Sequence, residues 1–173
     1  MPAVPKSALQ QAIRDAIAES GALGLLRPGG AAHPLKFSVV RGDDVLSVWV
    51  YIWTLTPGGR KSLPDEYRIQ MTAVTSPLPL NPDGATVLMG YEPSLGMFAG
   101  FDLERHRVFT EGSPSVQIDI NTVREALQNG FAFDRKANGE IAVGVRPDVF
   151  VDYCDREAAL HKTGTDVVGA TLI

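Results

Sequence analysis

The hydrophobic pattern changes from helical to strand-like near residue 35. Residues 5–20 carry apolar side chains at helical spacing, on the stripe Leu9, Ile13, Ala16 and Ile17. Ser7 is the expected N-cap of this helix, and Gly21 is its expected stop. Residues 21–34 have no hydrophobic period and are rich in Gly and Pro, so they predict a connecting loop.

From residue 35 onward, short apolar or alternating runs bounded by turn residues predict strands. The strongest is 45–55, VLSVWVYIWTL, whose two faces are both apolar, as is typical of a central strand buried on each side. Residues 66–74 instead alternate, so one face is core and the other is exposed, with the polar positions Glu66, Arg68, Gln70 and Thr72. Further strands are predicted at 35–40, 85–91, 96–102, 115–120 and, as a short segment, 108–109.

The last third of the chain predicts a helix, a hairpin and another helix. Asn121 is the expected cap of a helix that stops at Gly130, and Asn138-Gly139 is a turn signal between two apolar runs. Pro147 suits the first turn of a helix that extends to residue 160. The fold class is therefore α+β, with a largely antiparallel curved sheet or pseudo-barrel flanked by about three helices. We expect one domain over 1–160, followed by a C-terminal tail or linker over 161–173.

Composition narrows the functional classes. The 173 residues are 45% hydrophobic and 21% charged, which is a globular balance and excludes disorder over the whole length. A single cysteine, Cys154, cannot form an internal disulfide and suits a reducing compartment. Neither a secretory leader nor a membrane span is predicted, so we expect a cytoplasmic protein with no membrane partner. The net charge is −4, so any DNA binding requires a local basic surface.

No motif predicts a catalytic, metal or cofactor site. The three histidines, His33, His106 and His161, are isolated, and no CxxC, HExxH, Walker A or GxGxxG pattern occurs. We therefore expect no enzyme activity, no cofactor and no bound metal. A hydrolase assembled from distant carboxylates such as Asp102 and Glu140 is an alternative that sequence alone leaves open.

A set of basic and polar residues suits the recognition of a polyanion. Arg and Lys neutralise phosphates, Ser positions them, and Gln or Arg contacts base edges. The predicted DNA-binding residues are Arg60, Lys61, Arg68, Gln70, Arg105, His106, Arg107, Ser113 and Ser115. Each also has an ordinary interpretation, since Arg68 can pair with Glu66 on its own strand face, and carboxylates flank the cluster at 105–107.

Four segments resemble a known domain in the same order and with similar spacing. They are VWVYIWTLTPGGRKSLPDEYRIQMT, MGYEPSLGMFAGFDLERH, GSPSVQI and NGEIAVGVRPDVFVDY. Together they resemble, from about Phe37 to Tyr153, the N-terminal domain that precedes the nuclease in bacterial McrA-like HNH restriction endonucleases. The resemblance implies a DNA-recognition module for modified DNA, with the sulfur-binding domain for phosphorothioated DNA as the favoured subgroup and a methylated-base reader as the alternative. The HNH nuclease half has no counterpart here, so the implied partners are modified double-stranded DNA and an HNH nuclease domain in cis or in trans.

Sulfur recognition requires basic donors for the phosphate oxygens and a small apolar cup for the larger, less hydrated sulfur. The cup residues expected beside the basic set are Pro64, Tyr91, Pro93 and Pro114. Burial of the sulfur contributes on the order of 1 kcal/mol per few tens of Å². The hypothesis requires Arg60, Arg68, Arg105 and His106 to meet on one concave basic face. If they scatter around an apolar cavity, a small-molecule-binding domain unrelated to DNA is the better interpretation.

Overall fold

The computed structural model describes residues 3–29, 32–110 and 112–166, and within these the chain forms ten strands and four α-helices. The helices are α1 (Lys6–Glu19), α2 (Leu103–His106), α3 (Ile120–Asn129) and α4 (Phe150–Thr163), the last preceded by a 3₁₀ turn at Pro147–Val149. The strands are β1 (Leu23–Leu26), β2 (Leu35–Arg41), β3 (Asp44–Thr54), β4 (Thr56–Pro57), β5 (Glu66–Gln70), β6 (Ala85–Glu92), β7 (Met97–Phe101), β8 (Ser115–Asp119), β9 (Phe131–Arg135) and β10 (Ile141–Val145).

The strands form two sheets. The large sheet has the order β1-β2-β3-β6-β7-β10-β9, and the small sheet has the order β4-β5-β8. Every pair in the two sheets is antiparallel except β3 with β6, which is parallel because the chain crosses from one to the other through β4 and β5. The predicted α+β class with a largely antiparallel sheet is confirmed; the sheet is not closed into a barrel, since β1 and β9 lie at opposite edges.

β3 separates two hydrophobic cores, as its two apolar faces predict. Val48, Val50 and Ile52 belong to the first core, which α1 and α4 cover. Tyr51, from the other face, belongs to the second core, which lies between the large sheet, the small sheet and α3. Each apolar side chain buried in this way contributes about 1.5–3 kcal/mol relative to its exposed state, so the central position of β3 follows from its sequence.

Several local predictions near the N-terminus differ from the structure. The segment predicted as a loop contains β1, a short edge strand. Its glycine and the Pro-Gly that follows are typical of a loop, so the sequence did not indicate a strand here. The N-cap of α1 is Pro5 rather than Ser7, and it makes no side-chain capping hydrogen bond. The stop near Gly21 is correct, because α1 ends at Glu19 and Gly21 has a φ of 80°.

Further differences between the predicted and the observed elements lie in the second half of the chain. Val108 and Phe109 form no strand; α2 lies just before them, capped by Asp102, whose carboxylate accepts from the Glu104 N–H. The cap of α3 is Asp119 rather than Asn121, although the stop at Gly130 is confirmed. α4 extends to Thr163, three residues beyond the predicted helix end. Of the predicted tail, residues 167–173 lie outside the described residues, and the domain boundary stays a prediction.

Among the described residues, no helix is both long and apolar enough to span a membrane.

Candidate nucleic-acid interface

The outer face of the small sheet carries a cluster of polar side chains. Across the three strands, Thr56 lies opposite Arg68, which lies opposite Gln117, and the next pair along β5 and β8 is Gln70 with Ser115. Side chains that lie directly opposite each other project from the same face of a sheet. We call these five residues the polar face. The other side of β5 and β8 is fixed by the second core, through Ile69, Val116 and Ile118.

Arg68 lies at the centre of the polar face, and no carboxylate in the described part of the chain pairs with it. Its guanidinium donates to Oε1 of Gln70 at 3.2 Å. Among the described residues it has no carboxylate oxygen within 4.0 Å, although Glu66 is on the same strand face. The ordinary interpretation of Arg68 as the ion-pair partner of Glu66 is therefore wrong, because Glu66 pairs with another arginine.

That other arginine is Arg60, in the loop between β4 and β5. Its guanidinium binds both carboxylate oxygens of Glu66, at 3.0 and 2.7 Å, and its charge and hydrogen bonds hold the pKa of Glu66 below its usual range. The side chain of Arg60 is still 62% exposed. Lys61 is exposed beside it. Both residues therefore lie near the Glu66 end of the polar face.

A cleft of about 370 Å³ opens at that end, and its charge is mainly negative. We call it the acidic cleft; its lining includes Pro64, Asp65, Glu66, Gln117, Asp119, Asp134 and Lys136. The carboxylates also have structural partners. Asp119 caps α3 through the Asn121 N–H at 2.8 Å, and Asp134 accepts from the Asp119 N–H at 2.9 Å. A cleft with this lining repels phosphate and accepts hydrogen bonds from amino groups.

Lys136 connects the acidic cleft to a buried carboxylate. Glu140, with a side chain only 5% exposed, pairs with Lys136 Nζ at 3.6 Å and is hydrogen-bonded to His106 Nε2. Burial raises the pKa of Glu140. The hydrogen bond and charge of His106, together with the charges of Lys136 and Arg105, lower it by more than burial raises it. The pKa of Glu140 therefore lies below its usual range. His106 therefore serves as the partner of a buried carboxylate, and its side chain is 24% exposed.

Arg105 and Arg107 lie in a second cleft, of about 820 Å³, between the 80–86 segment, α2 and α4. Its lining is of mixed charge and includes Asp102, Glu104, Arg105, Arg107, Glu157, His161 and Lys162. Arg105 pairs with Asp102 at 3.5 Å, and Arg107 Nε donates to the carbonyl oxygen of Leu78 at 3.3 Å. Burial, with the nearby charges of Asp102 and Glu104, raises the pKa of Glu157 to about 7. This polar lining does not meet the criterion of an apolar cavity for a small-molecule site.

The four expected sulfur-cup residues do not come together. Pro64 precedes β5 and lines the acidic cleft, whereas Pro114 precedes Ser115 at the opposite end of the small sheet, where its carbonyl accepts from the Met71 N–H. The side chain of Tyr91 packs with the first core against Phe98, on the other side of the large sheet. Pro93 follows Tyr91 in the turn between β6 and β7. A single cup built from all four is therefore excluded by the fold.

The expected single basic hollow is also wrong. Arg60, Lys61, Arg68, Gln70 and Ser115 gather on or beside the small sheet, with Ser113 in the exposed loop before β8. The residues Arg105 and Arg107 belong to the second cleft, which shares no lining residue with the acidic cleft. Carboxylates line both clefts, and Arg60, Arg105 and His106 are each paired with one. On the polar face, Arg68 pairs with no carboxylate of the described residues.

Three residues of this region, Gln117, Lys136 and Glu140, were absent from the predicted binding set. Gln117 is half-buried and, like Ser115, alternates with the buried residues Val116 and Ile118, so strand alternation was the signal that identifies it. Lys136 and Glu140 flank the Asn138-Gly139 turn, and the predicted hairpin places them across from each other. The pairing of Glu140 with His106 joins residues far apart in sequence and had no local signal.

The remaining histidines have structural surroundings. His161 is buried; its Nδ1 bonds the Ile141 carbonyl at 2.6 Å, and its Nε2 bonds the Tyr153 hydroxyl at 2.6 Å. The Nε2 of His33 lies 2.8 Å from the carbonyl oxygen of Ile52. Over the described parts of the chain, no group of three or more His, Cys, Asp and Glu side chains has an arrangement that would hold a metal ion.

Comparison with known proteins gives one family. The family model described as Methylase-associated X1 matches residues 46–154, more than half of the chain and all of β5 and β8. Comparison with curated proteins and with solved structures returned no match. The match fits a domain of the restriction–modification context and carries no assignment to McrA-like or sulfur-binding proteins. The chain belongs to the Methylase-associated X1 family.

Proposed function

We propose that this chain is a recognition domain that binds modified double-stranded DNA through the polar face of the small sheet. The observation that carries the proposal is the environment of Arg68, a cation without a carboxylate partner in the described structure, surrounded by Gln70, Ser115 and Gln117. These residue types contact phosphates and base edges. The family, associated with methylases, supports a role in which modified and unmodified DNA are distinguished.

The polar face is rigid enough to act as a template. Its strands are paired to each other, and their inner side chains Ile69, Val116 and Ile118 are each at most 1% exposed. A donor and acceptor array on a fixed sheet loses little conformational entropy when it binds. Since the chain carries a net charge of −4, non-specific attraction to DNA is weak, and affinity depends on these local contacts.

The modification that we favour is a phosphorothioate. The support is the resemblance of the sequence to DNA-recognition domains, together with Pro114, which precedes Ser115 at the end of the small sheet away from the acidic cleft. Its ring offers an apolar surface for one sulfur beside donors for the remaining oxygen. Because the cup is a single proline, most of the specificity must come from polar contacts, each worth about 1–3 kcal/mol at a base edge.

A methylated base is the second candidate, and the acidic cleft is the observation that favours it. Carboxylate oxygens accept hydrogen bonds from the amino groups of cytosine and adenine. The cleft adjoins the polar face through Gln117, and its volume of about 370 Å³ is within the range of small-ligand sites. DNA held on the polar face would present a base to this cleft.

We assign no cleavage to this chain and propose that a nuclease domain, in cis or in trans, acts on the DNA that it binds. Fluorescence anisotropy with three duplexes of one sequence, carrying a phosphorothioate, 5-methylcytosine or no modification, tests the proposal. Tighter binding of the phosphorothioate duplex supports the favoured function, and tighter binding of the methylated duplex supports the second. Equal or undetectable binding of all three would rule out both. A plasmid-nicking assay with Mg²⁺ accompanies it, and we expect no turnover.

A further inference from the structure

Cations lie beside the mouth of the acidic cleft, whereas carboxylates lie inside it. Arg60 and Lys61 are exposed in the loop before β5, next to the lining of the cleft. Arg124, exposed on α3, donates to Oδ1 of Asn121 at 3.1 Å, and Asn121 donates to Oδ2 of the lining residue Asp65 at 3.0 Å. We call Arg60, Lys61 and Arg124 the rim cations. A phosphate is attracted to this rim and repelled from the interior.

The carboxylates of the interior keep their capacity to accept hydrogen bonds. Asp65 accepts from Asn121 through Oδ2. Asp119 accepts from the Asn121 N–H through Oδ1, and Asp134 accepts from the Asp119 N–H through Oδ2. A carboxylate has about four acceptor sites, and each of these bonds occupies one of them. The interior therefore suits a ligand that carries amino hydrogens.

The lining also supplies an apolar surface and two donors. Leu63, which is 44% exposed, and Pro64 are the apolar neighbours, and the donors are the ammonium of Lys136 and the amide of Gln117. A nucleobase has matching features, since its faces are apolar and its edge carries donors and acceptors. In cytosine and adenine an amino group lies beside a ring acceptor, whereas thymine and uracil carry carbonyl oxygens that carboxylates repel.

The cleft lies within one nucleotide of the polar face. Arg68 lies opposite Gln117, and two positions along the same strands Glu66 lies opposite Asp119, about 7 Å away. Gln117, Glu66 and Asp119 all line the cleft. This separation is comparable to that between a phosphate and the base of the same nucleotide. A base that is still paired lies between two phosphate backbones, so it enters such a cleft only by leaving the stack.

We propose that the acidic cleft receives one amino-bearing base, cytosine or adenine, that has swung out of a duplex held on the polar face. The carboxylates accept from its amino group, Lys136 or Gln117 donates to its ring acceptor, and its flanking phosphates lie at the rim cations. This role rests on the proposed DNA binding and adds to it a preference for the base beside the recognised modification. The matching of acidic interior to amino group and of basic rim to phosphate is the observation that carries it.

Duplexes with one unpaired base test this pocket. In otherwise identical duplexes a cytosine or a uracil is placed opposite an abasic site, which removes the cost of unpairing from both. The two bases have nearly the same shape, but cytosine carries an amino group where uracil carries a carbonyl oxygen. Anisotropy titrations of the full chain should show binding of the cytosine duplex at least about five-fold tighter than that of the uracil duplex. The fully paired duplex should bind more weakly than the cytosine duplex.

Asp134→Asn tests whether the cleft is the site of this preference. The asparagine keeps an oxygen for the Asp119 N–H but presents amino hydrogens to the ligand. Because the loss of a negative charge strengthens the binding of every duplex, the readout is the ratio of the cytosine and uracil affinities, and the preference should disappear. The matched control is Asp43→Asn, exposed in the turn between β2 and β3, which removes the same charge and should keep the wild-type ratio.

The results separate the pocket from the polar face. Equal affinities of the wild type for the cytosine and uracil duplexes, or a preference that Asp134→Asn leaves unchanged, would overturn the pocket while DNA binding at the polar face stands. A chain that binds none of the duplexes would show that the proposed function is wrong, and the pocket would be excluded with it.

Discussion

Arg68 of β5 and Gln117 of β8 lie directly opposite each other on the outer face of the small sheet. The guanidinium is tied to Gln70, and the Gln117 amide donates to the Ser115 hydroxyl at 3.2 Å. The two side chains thus combine a fixed cation with an amide that both donates and accepts. This combination of groups is suited to contact a phosphate and an adjacent base edge on one duplex, as the proposed function expects.

Gln117→Ala should reduce the preference for modified DNA more than it reduces overall affinity. If the Gln117 amide contacts a base edge, its loss should reduce the discrimination between duplexes by about 1–3 kcal/mol. Because the side chain is neutral, its removal should leave the salt dependence of DNA binding unchanged. Anisotropy titrations with modified and plain duplexes at several salt concentrations provide the measurement. Gln128→Ala, at an exposed position on α3, is the control and should bind like the wild type. A Gln117→Ala variant with wild-type preference would exclude a reading role.

The buried pair of Glu140 and His106 predicts a loss of stability in acid. Because the folded pKa of Glu140 lies below its unfolded value, its stabilisation is present above about pH 4.3 and is lost as the pH falls through the folded pKa. Glu140→Gln should cost about 1–3 kcal/mol at neutral pH, and the difference from wild type should shrink in acid. Urea unfolding across this pH range measures it. Glu125→Gln, on the exposed face of α3, should show neither effect.

Glu157 predicts the opposite pH dependence. Its folded pKa of about 7 lies above the unfolded value, so the stabilisation is complete below about pH 4.3 and is lost as the pH rises through about 7. Glu157→Gln stays neutral and should be more stable than the wild type above pH 7. Unfolding free energies at about pH 5 and about pH 8 provide the comparison. A variant that is less stable at the higher pH would show that the ionised carboxylate has a stabilising partner.

Gly100→Ala should destabilise the fold without touching the polar face. A methyl group at this position would overlap the ring and hydroxyl of Tyr153, which is buried and bonded to His161. Overpacking of this kind costs about 1–3 kcal/mol. Thermal and urea unfolding measure the loss, and Gly112→Ala, with no neighbouring atom within 4 Å, is the matched control. Equal stability of the two variants would mean that the core around Tyr153 adjusts freely.

The elements that were predictable from sequence are those in which the apolar pattern of the segment itself shows which faces are buried. The two apolar faces of β3 required a buried central strand, and the Asn138-Gly139 turn between apolar runs required the β9–β10 hairpin. α1 and α3 likewise follow from their periodic apolar stripes. By contrast, β1 has four residues and is stabilised by pairing with β2 and packing on Ile17, neither of which leaves a local pattern.

The candidate site was predictable only within single strands. Alternation along β5 placed Arg68 and Gln70 on one exposed face, and the structure adds Ser115 and Gln117 through the register of β8. Long-range partners had no such signal. Two of the predicted DNA contacts are paired with carboxylates. His106 is hydrogen-bonded to Glu140, which is distant in sequence, and Arg105 forms an ion pair with the nearby Asp102. Tyr91 does not contribute to the expected sulfur cup, because its position on the strand directs its side chain towards the first core.

The most direct test of the DNA-binding account is the salt dependence of binding by Arg68→Ala. Binding constants for the preferred duplex should be measured at several salt concentrations, with Arg14→Ala, on the far side of the large sheet, as the control. If Arg68 contacts a phosphate, the variant should bind more weakly, and the slope of log K against log salt should become shallower by about 1, while the control matches the wild type. Unchanged affinity and slope in Arg68→Ala would contradict the proposed interface.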